Sequence, residues 1–229
     1  MSTPTVSGIV LTAPATIVFP KLAKAEPYLD PRTGQPKGEP KFSATLVFDP
    51  TASLVVGPVD GKPGYTTTWD LLRQTASAVA KAKWPDLDPK TIAWPFKNGD
   101  KEILRLTAST AKKPKKPEQL AYLKGKVFIK TDTKYPPFVL DTNKAVLTGD
   151  AITAAIYGGC VVSAELNFVA YPRAKDDDKD GVKAYLNGIL KLSDGTRLGG
   201  RDAQSAFAGI AGGQSEVDPT GQDDEEIPY

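Results

Sequence analysis

The alternation of apolar and polar positions is strongest between residues 156 and 191. Cys160, Val162, Ala164, Leu166, Phe168 and Ala170 fall on one side of an extended run, with Ser163, Glu165, Asn167 and Tyr171 on the other. After a charged turn ending at Gly181, the period repeats. Val182, Ala184 and Leu186 face inward, Lys183, Tyr185 and Asn187 outward, and the alternation blurs at Gly188 and Ile189. This predicts a hairpin whose outer face mixes lysine, tyrosine and asparagine.

Earlier in the chain, residues 6–19 carry enough β-branched side chains for a first strand, with Pro14 at a bend or edge. Residues 20–40 read as a loop or an exposed hairpin extension, with Lys21, Lys24, Arg32 and Lys37 as its positive charges. Phe42, Ala44, Leu46 and Phe48 alternate as the core side of a second strand. Trp69, Leu72, Ala76, Val79 and Ala80 recur at helical spacing and predict one main helix over residues 66–82, with Trp69 as packing. Residues 103–108 are expected to form a strand. In residues 122–131, Lys124, Lys126, Phe128 and Lys130 share one face, opposite Leu123, Val127 and Ile129. Residues 135–140 and 145–147 read as short extended pieces, and a short helix is expected from Arg201 to Phe207.

Composition narrows the class. With 20 Gly, 20 Pro and 40% hydrophobic residues in 229, the chain suits a β-rich domain with long loops better than a helical bundle. The single Cys160 leaves no partner for an internal disulfide and fits a reducing compartment. No apolar run reaches membrane-spanning length, and the expectation is a soluble intracellular protein. The formal charge of +2 hides a division. Six of the 27 acidic residues and none of the 29 basic ones lie in 216–229, so the tail carries −6 and the rest +8.

The absence of histidine removes imidazole triads and His metal ligands, and no phosphate-binding glycine loop occurs. Asp176, Asp178, Asp180 and Gly181 open like a calcium loop, but Asn187 stands where the bidentate Glu belongs. No enzyme, metal or cofactor is expected. The chemistry that remains is electrostatic and aromatic. Lys112, Lys113, Lys115 and Lys116 form a basic cluster just before the Lys124–Lys126–Phe128–Lys130 face. Such a face either protects an edge strand or tracks a nucleic-acid backbone while an aromatic stacks a base. Adding Tyr135, Lys183, Tyr185 and Lys191 favours the second reading. The tail residues Asp223, Asp224, Glu225, Glu226, Ile227, Pro228 and Tyr229 combine acidity with an apolar, aromatic end, as a peptide ligand for a basic partner would.

Residues 156–160 (Ile-Tyr-Gly-Gly-Cys), 167–171 (Asn-Phe-Val-Ala-Tyr), 181–188 (Gly-Val-Lys-Ala-Tyr-Leu-Asn-Gly), Gly195 with Leu198, Gly199 and Gly200, and the 41–48 strand share an order and spacing. Together they resemble a family of phage-encoded single-stranded DNA-binding proteins, over most of residues 5–210. The resemblance implies a mainly β, OB-fold five-stranded barrel over residues 1–212, with long loop insertions and one main helix. It also implies a disordered acidic tail over 213–229 that recruits replication proteins, with Tyr229 where related tails place phenylalanine. The implied role is sequence-independent binding of single-stranded DNA in phage replication, recombination or repair, in the bacterial host cytoplasm. The competing reading is a β-rich protein-interaction or virion domain.

Overall fold

The computed structural model describes residues 5–30, 33–58, 62–108, 116–172 and 180–198. Five strands make its centre: β1 (Ala15–Leu29), β2 (Pro36–Phe48), β3 (Val127–Thr133), β4 (Val161–Tyr171) and β5 (Gly181–Ser193). β1 runs antiparallel to β2, with Ala15 opposite Phe48, and β2 antiparallel to β3, with Phe48 opposite Val127. β3 lies parallel to β5, where Tyr185 faces Asp132, and β5 is antiparallel to β4. β4 returns to β1 at Thr16 and Ala15, so the order β1-β2-β3-β5-β4-β1 closes a barrel. Closure pairs the barrel's edges, and among the described residues the strands outside it are short.

The alternation of β4 and β5 predicts the barrel interior. Cys160, Val162, Ala164, Leu166, Phe168, Ala170, Val182, Ala184 and Leu186 are all buried in one core with Ile17, Leu46, Phe48 and Ile129. The blurred alternation at Gly188 is a bulge, since Glu165 pairs with Gly188 but Leu166 with Leu186, leaving Asn187 extra. Ser163, expected outside, is buried where Thr12 runs alongside β4, next to two short strands, Thr5–Val6 and Val10–Leu11, that pair with it. The Ser163 hydroxyl donates to the Thr12 carbonyl at 2.8 Å. The single first strand expected over residues 6–19 is therefore these two pieces followed by the start of β1.

Helix α1 (Trp69–Lys83) starts where the Thr68 hydroxyl accepts from Leu71 N–H at 3.2 Å. It buries Trp69, Leu72, Ala76, Val79 and Ala80 against the barrel. The Trp69 ring sits 5.6 Å from Phe48 and 5.1 Å from Phe96, a packing role as expected.

Two expectations are corrected, and of the two readings of residues 20–40 the hairpin extension holds, with 20–29 and 36–40 as the arms of β1 and β2. Among the described residues the ribbon's outer part has no third strand beside it, so Pro20, Pro27, Pro36 and Pro40 leave no ladder bond unmade within a sheet interior. Residues 103–108 are not a strand but belong to helix α2 (Gly99–Thr107), capped by Asn98, whose side chain accepts from Lys101 N–H at 3.0 Å. Helical spacing puts Ile103 and Leu106 together, against a second small core. The strand expected over 122–131 begins only at Val127, after a 3-10 turn over Pro117–Leu123. A third helix, α3 (Asp150–Ala155), precedes β4. The expected helix at 201–207 and the tail lie outside the described residues.

Candidate nucleic-acid interface

The outer surface of β2 and β3 is partly roofed. Val18, Val47, Leu120, Leu123 and Phe128 form the second core, closed over by Ile103, Leu106, Tyr122 and Leu198. Where this roof ends, the β1–β2 ribbon, α2 and β3 enclose a hollow of about 640 Å³. Its rim carries Lys21, Lys37, Lys41, Arg105 and Lys130; Phe19, Tyr28 and Tyr122 supply aromatic surface. A second hollow of about 340 Å³ continues over β5, lined by Lys134, Tyr135, Asn167, Lys183, Tyr185 and Asn187. Lys41 and Asp132 stand in the wall of both, so the two hollows adjoin across β2, β3 and β5 and are together called the groove.

Most of the groove's cations are held by carboxylates. Arg105 donates to both oxygens of Glu102 at 2.7 Å, and Lys130 lies 4.0 Å from the same group. The Arg105 hydrogen bonds, then the Arg105 and Lys130 charges, hold Glu102 below the usual carboxylate range against the effect of burial. Burial and the Glu102 charge push the Tyr122 hydroxyl up. Lys21 pairs with Glu26 at 2.7 Å, and Lys134 with Glu39, lowering Glu39 and raising Lys134. Asp132 is shared: its Oδ1 lies 2.5 Å from Lys183 Nζ and 3.6 Å from Lys41 Nζ. Lys183 Nζ also sits 5.0 Å above the Tyr185 ring.

Of the residues singled out in the sequence, Lys130, Tyr135, Lys183 and Tyr185 come together in this groove. Tyr135 is 80% exposed, a free face for a flat ring. Phe128 corrects the alternation reading. It points away from the barrel with Lys130, yet it is 2% exposed, because α2 and the 3-10 turn cover it. It contributes to the groove floor and offers no open stacking face. Lys124 is exposed in the turn before β3, and Lys126 pairs with Asp49 at 2.7 Å, pulling that carboxyl far down; neither lines the groove. Lys191 is apart from it too, paired with Asp194 at 2.7 Å and 5.7 Å from the Tyr157 ring. Lys116 is exposed beside the 3-10 turn, while Lys112, Lys113, Lys115 and the tail residues 223–229 lie outside the described residues.

Sequence reasoning missed Phe19, Tyr28, Lys41, Arg105, Tyr122 and Lys134. Lys41 was legible, since it alternates with the core residues of β2. Phe19 was not. It takes φ 51° at a register shift between Val18 and Lys21, a backbone region that bulky residues avoid, and it is 59% exposed.

The closed barrel, its strand order and a cation- and aromatic-lined groove over β2 and β3 define an OB-fold protein. The family model described as Enterobacter phage Enc34, ssDNA-binding protein, matches residues 28–218, and the chain belongs to that family. Among solved structures, the single-stranded DNA-binding protein from bacteriophage Enc34 in complex with ssDNA is similar at TM-score 0.53 and 21% identity. That match covers 84% of this chain and 90% of that chain. A second structure of the Enc34 protein gives TM-score 0.54 at 20% identity over 88% and 90% of the two chains. Its C-terminal truncation gives 0.54 at 20% over 86% and 94%. No curated protein matches the chain in sequence.

Proposed function

We propose that the chain binds single-stranded DNA without reading its sequence, along the groove over β2, β3 and β5. The observation that carries this reading is the groove itself: seven cations and five partly or well exposed aromatic rings (Phe19, Tyr28, Tyr122, Tyr135 and Tyr185) in adjoining hollows on the face that OB-folds use for oligonucleotides. Membership of the Enc34 family supports it. Lysines exchange counterions for phosphates, and each stacked base contributes about 1–3 kcal/mol whatever its identity. The protein serves phage DNA replication, recombination or repair in the bacterial host cytoplasm, and the acidic segment 223–229 recruits replication proteins. Sequence supports the last point through an acidic run that ends on Ile227, Pro228 and Tyr229, the form of a peptide ligand for a basic, pocketed partner.

The test is a fluorescence-anisotropy titration of oligo-dT, oligo-rU and matched duplex DNA at several salt concentrations. Preferential binding of oligo-dT that weakens with salt is expected. Equal binding of oligo-rU turns the reading to RNA, and no binding at low salt, with or without residues 216–229, turns it to a protein-interaction domain.

A further inference from the structure

Two carboxylates in the groove each stand between a pair of cations. Asp132 is the clearest case. It stands on β3 opposite Ser43 of β2 and beside Tyr185 of β5, in the wall shared by the two hollows. Its Oδ1 is shielded from solvent, with the Lys183 ammonium at 2.5 Å and the Lys41 ammonium at 3.6 Å as its charged neighbours. Glu102 repeats the arrangement on the far side of β3, with Arg105 in a two-point pair and Lys130 at 4.0 Å. In both places one anion holds two cations.

A carboxylate between two ammonium groups presents the charge and the acceptor oxygens of a phosphate diester. We infer that Asp132, and secondarily Glu102, are affinity-setting residues that hold phosphate positions in the groove, so that single-stranded DNA binds by displacing them. The inference rests on the proposed single-strand binding and adds how its affinity is set. Each seated phosphate takes two cations from a carboxylate that is then left in a negatively charged neighbourhood. The exchange lowers affinity below what the exposed lysines would give. In the absence of DNA the same carboxylates keep Lys41, Lys183, Arg105 and Lys130 gathered at the groove rather than spread into solvent.

Removing the anion without changing its size separates this role from a merely structural one. Asp132→Asn leaves the Lys41–Lys183 site one net charge more positive. It is expected to tighten oligo-dT binding at low salt by roughly two- to fivefold, the worth of a partly exposed ion pair. The plot of log affinity against log salt is expected to steepen by about 0.7, one further phosphate neutralised on a single strand. Glu102→Gln is expected to act in the same direction. Asp70→Asn is the control. Asp70 pairs with Arg73 at 3.5 Å on α1, outside the groove, and binding is expected to stay unchanged.

Unchanged or weaker binding by a folded Asp132→Asn protein, with an unaltered salt slope, overturns the inference and makes Asp132 a mere anchor for its lysines. Should that variant fail to fold, Glu102→Gln decides by the same two readings. Failure of the unmodified chain to bind oligo-dT removes the inference together with the proposed function. Binding by the unmodified chain with no gain in either variant removes this inference alone.

Discussion

Phe19 shows how much one residue's backbone can say. A bulky side chain with φ 51° is strained by about 1–2 kcal/mol, and here the strain turns an aromatic ring out at the groove. Replacing it separates backbone from ring. Phe19→Gly is expected to be more stable than Phe19→Ala by about 1 kcal/mol in urea unfolding, since only glycine accepts the positive φ freely. Both are expected to lose about 1–3 kcal/mol of oligo-dT affinity. Phe128 and Tyr135 make the opposite contrast. Phe128→Ala opens the second core and is expected to cost about 3–5 kcal/mol of stability. Tyr135→Ala, at an exposed site, is expected to leave the melting temperature in place and weaken oligo-dT binding by about 1–3 kcal/mol. Both residues were named from the sequence for the same reason, aromatic character among lysines. Alternation told which side of β3 Phe128 leaves from, but not that a segment some twenty residues away in sequence would cover that side.

At the scale of elements, α2 is the piece on which the groove depends. Its first residue, Gly99, lies so close to the turn before β3 that a Cβ would come 2.0 Å from the Leu123 carbonyl oxygen and 2.8 Å from that of Lys126. Backbone cannot swing aside as a side-chain tip can. Gly99→Ala is therefore expected to displace α2, lowering the melting temperature by several degrees and also weakening oligo-dT binding, because Glu102 and Arg105 move with the helix. Preserved stability with preserved binding would count against this dependence. The helix was hidden in the sequence by its brevity. Over nine residues, Ile103, Leu106 and their neighbours fit a period of two nearly as well as 3.6, and the cap at Asn98 is what tips the balance. The long β1–β2 ribbon was hidden by its prolines, which argue for a loop unless the strand edges are free.

For the whole molecule, charge governs both stability and binding. Hydrogen bonds and charges from Lys126, Arg105, Lys134 and Lys191 hold Asp49, Glu102, Glu39 and Asp194 below their ordinary values. A carboxyl lowered on folding contributes stability that is complete above its unfolded value, near 4, and is lost as pH falls through the folded one. Glu165, raised by burial, works in the other direction. The melting temperature is expected to be flat from pH 7 to about 5 and to fall below about 4, with a shallower fall in Glu102→Gln. A melting temperature that rises on acidification would contradict the ion-pair account. At the opposite end of the chain, deleting residues 216–229 removes six negative charges. It is expected to tighten oligo-dT binding at low salt and to have little effect at high salt, where screening already separates tail from body.

The sequence by itself determined the barrel interior, the main helix and the family, because each is written in local repetition. Alternation with period two selects the buried faces of β2, β4 and β5, and spacing near 3.6 selects the face of α1. It also determined the chemistry available: lysine and aromatic surface without histidine. Tertiary structure alone decided which of those surfaces form a groove. The antiparallel pairing of β2 with β3 and the parallel pairing of β3 with β5 bring Lys41, Asp132 and Lys183 together from three strands. The same folding buries Phe128 and leaves Tyr135 open. The reason is physical: a strand's period fixes which way a side chain points, whereas its exposure depends on what the rest of the chain lays over it.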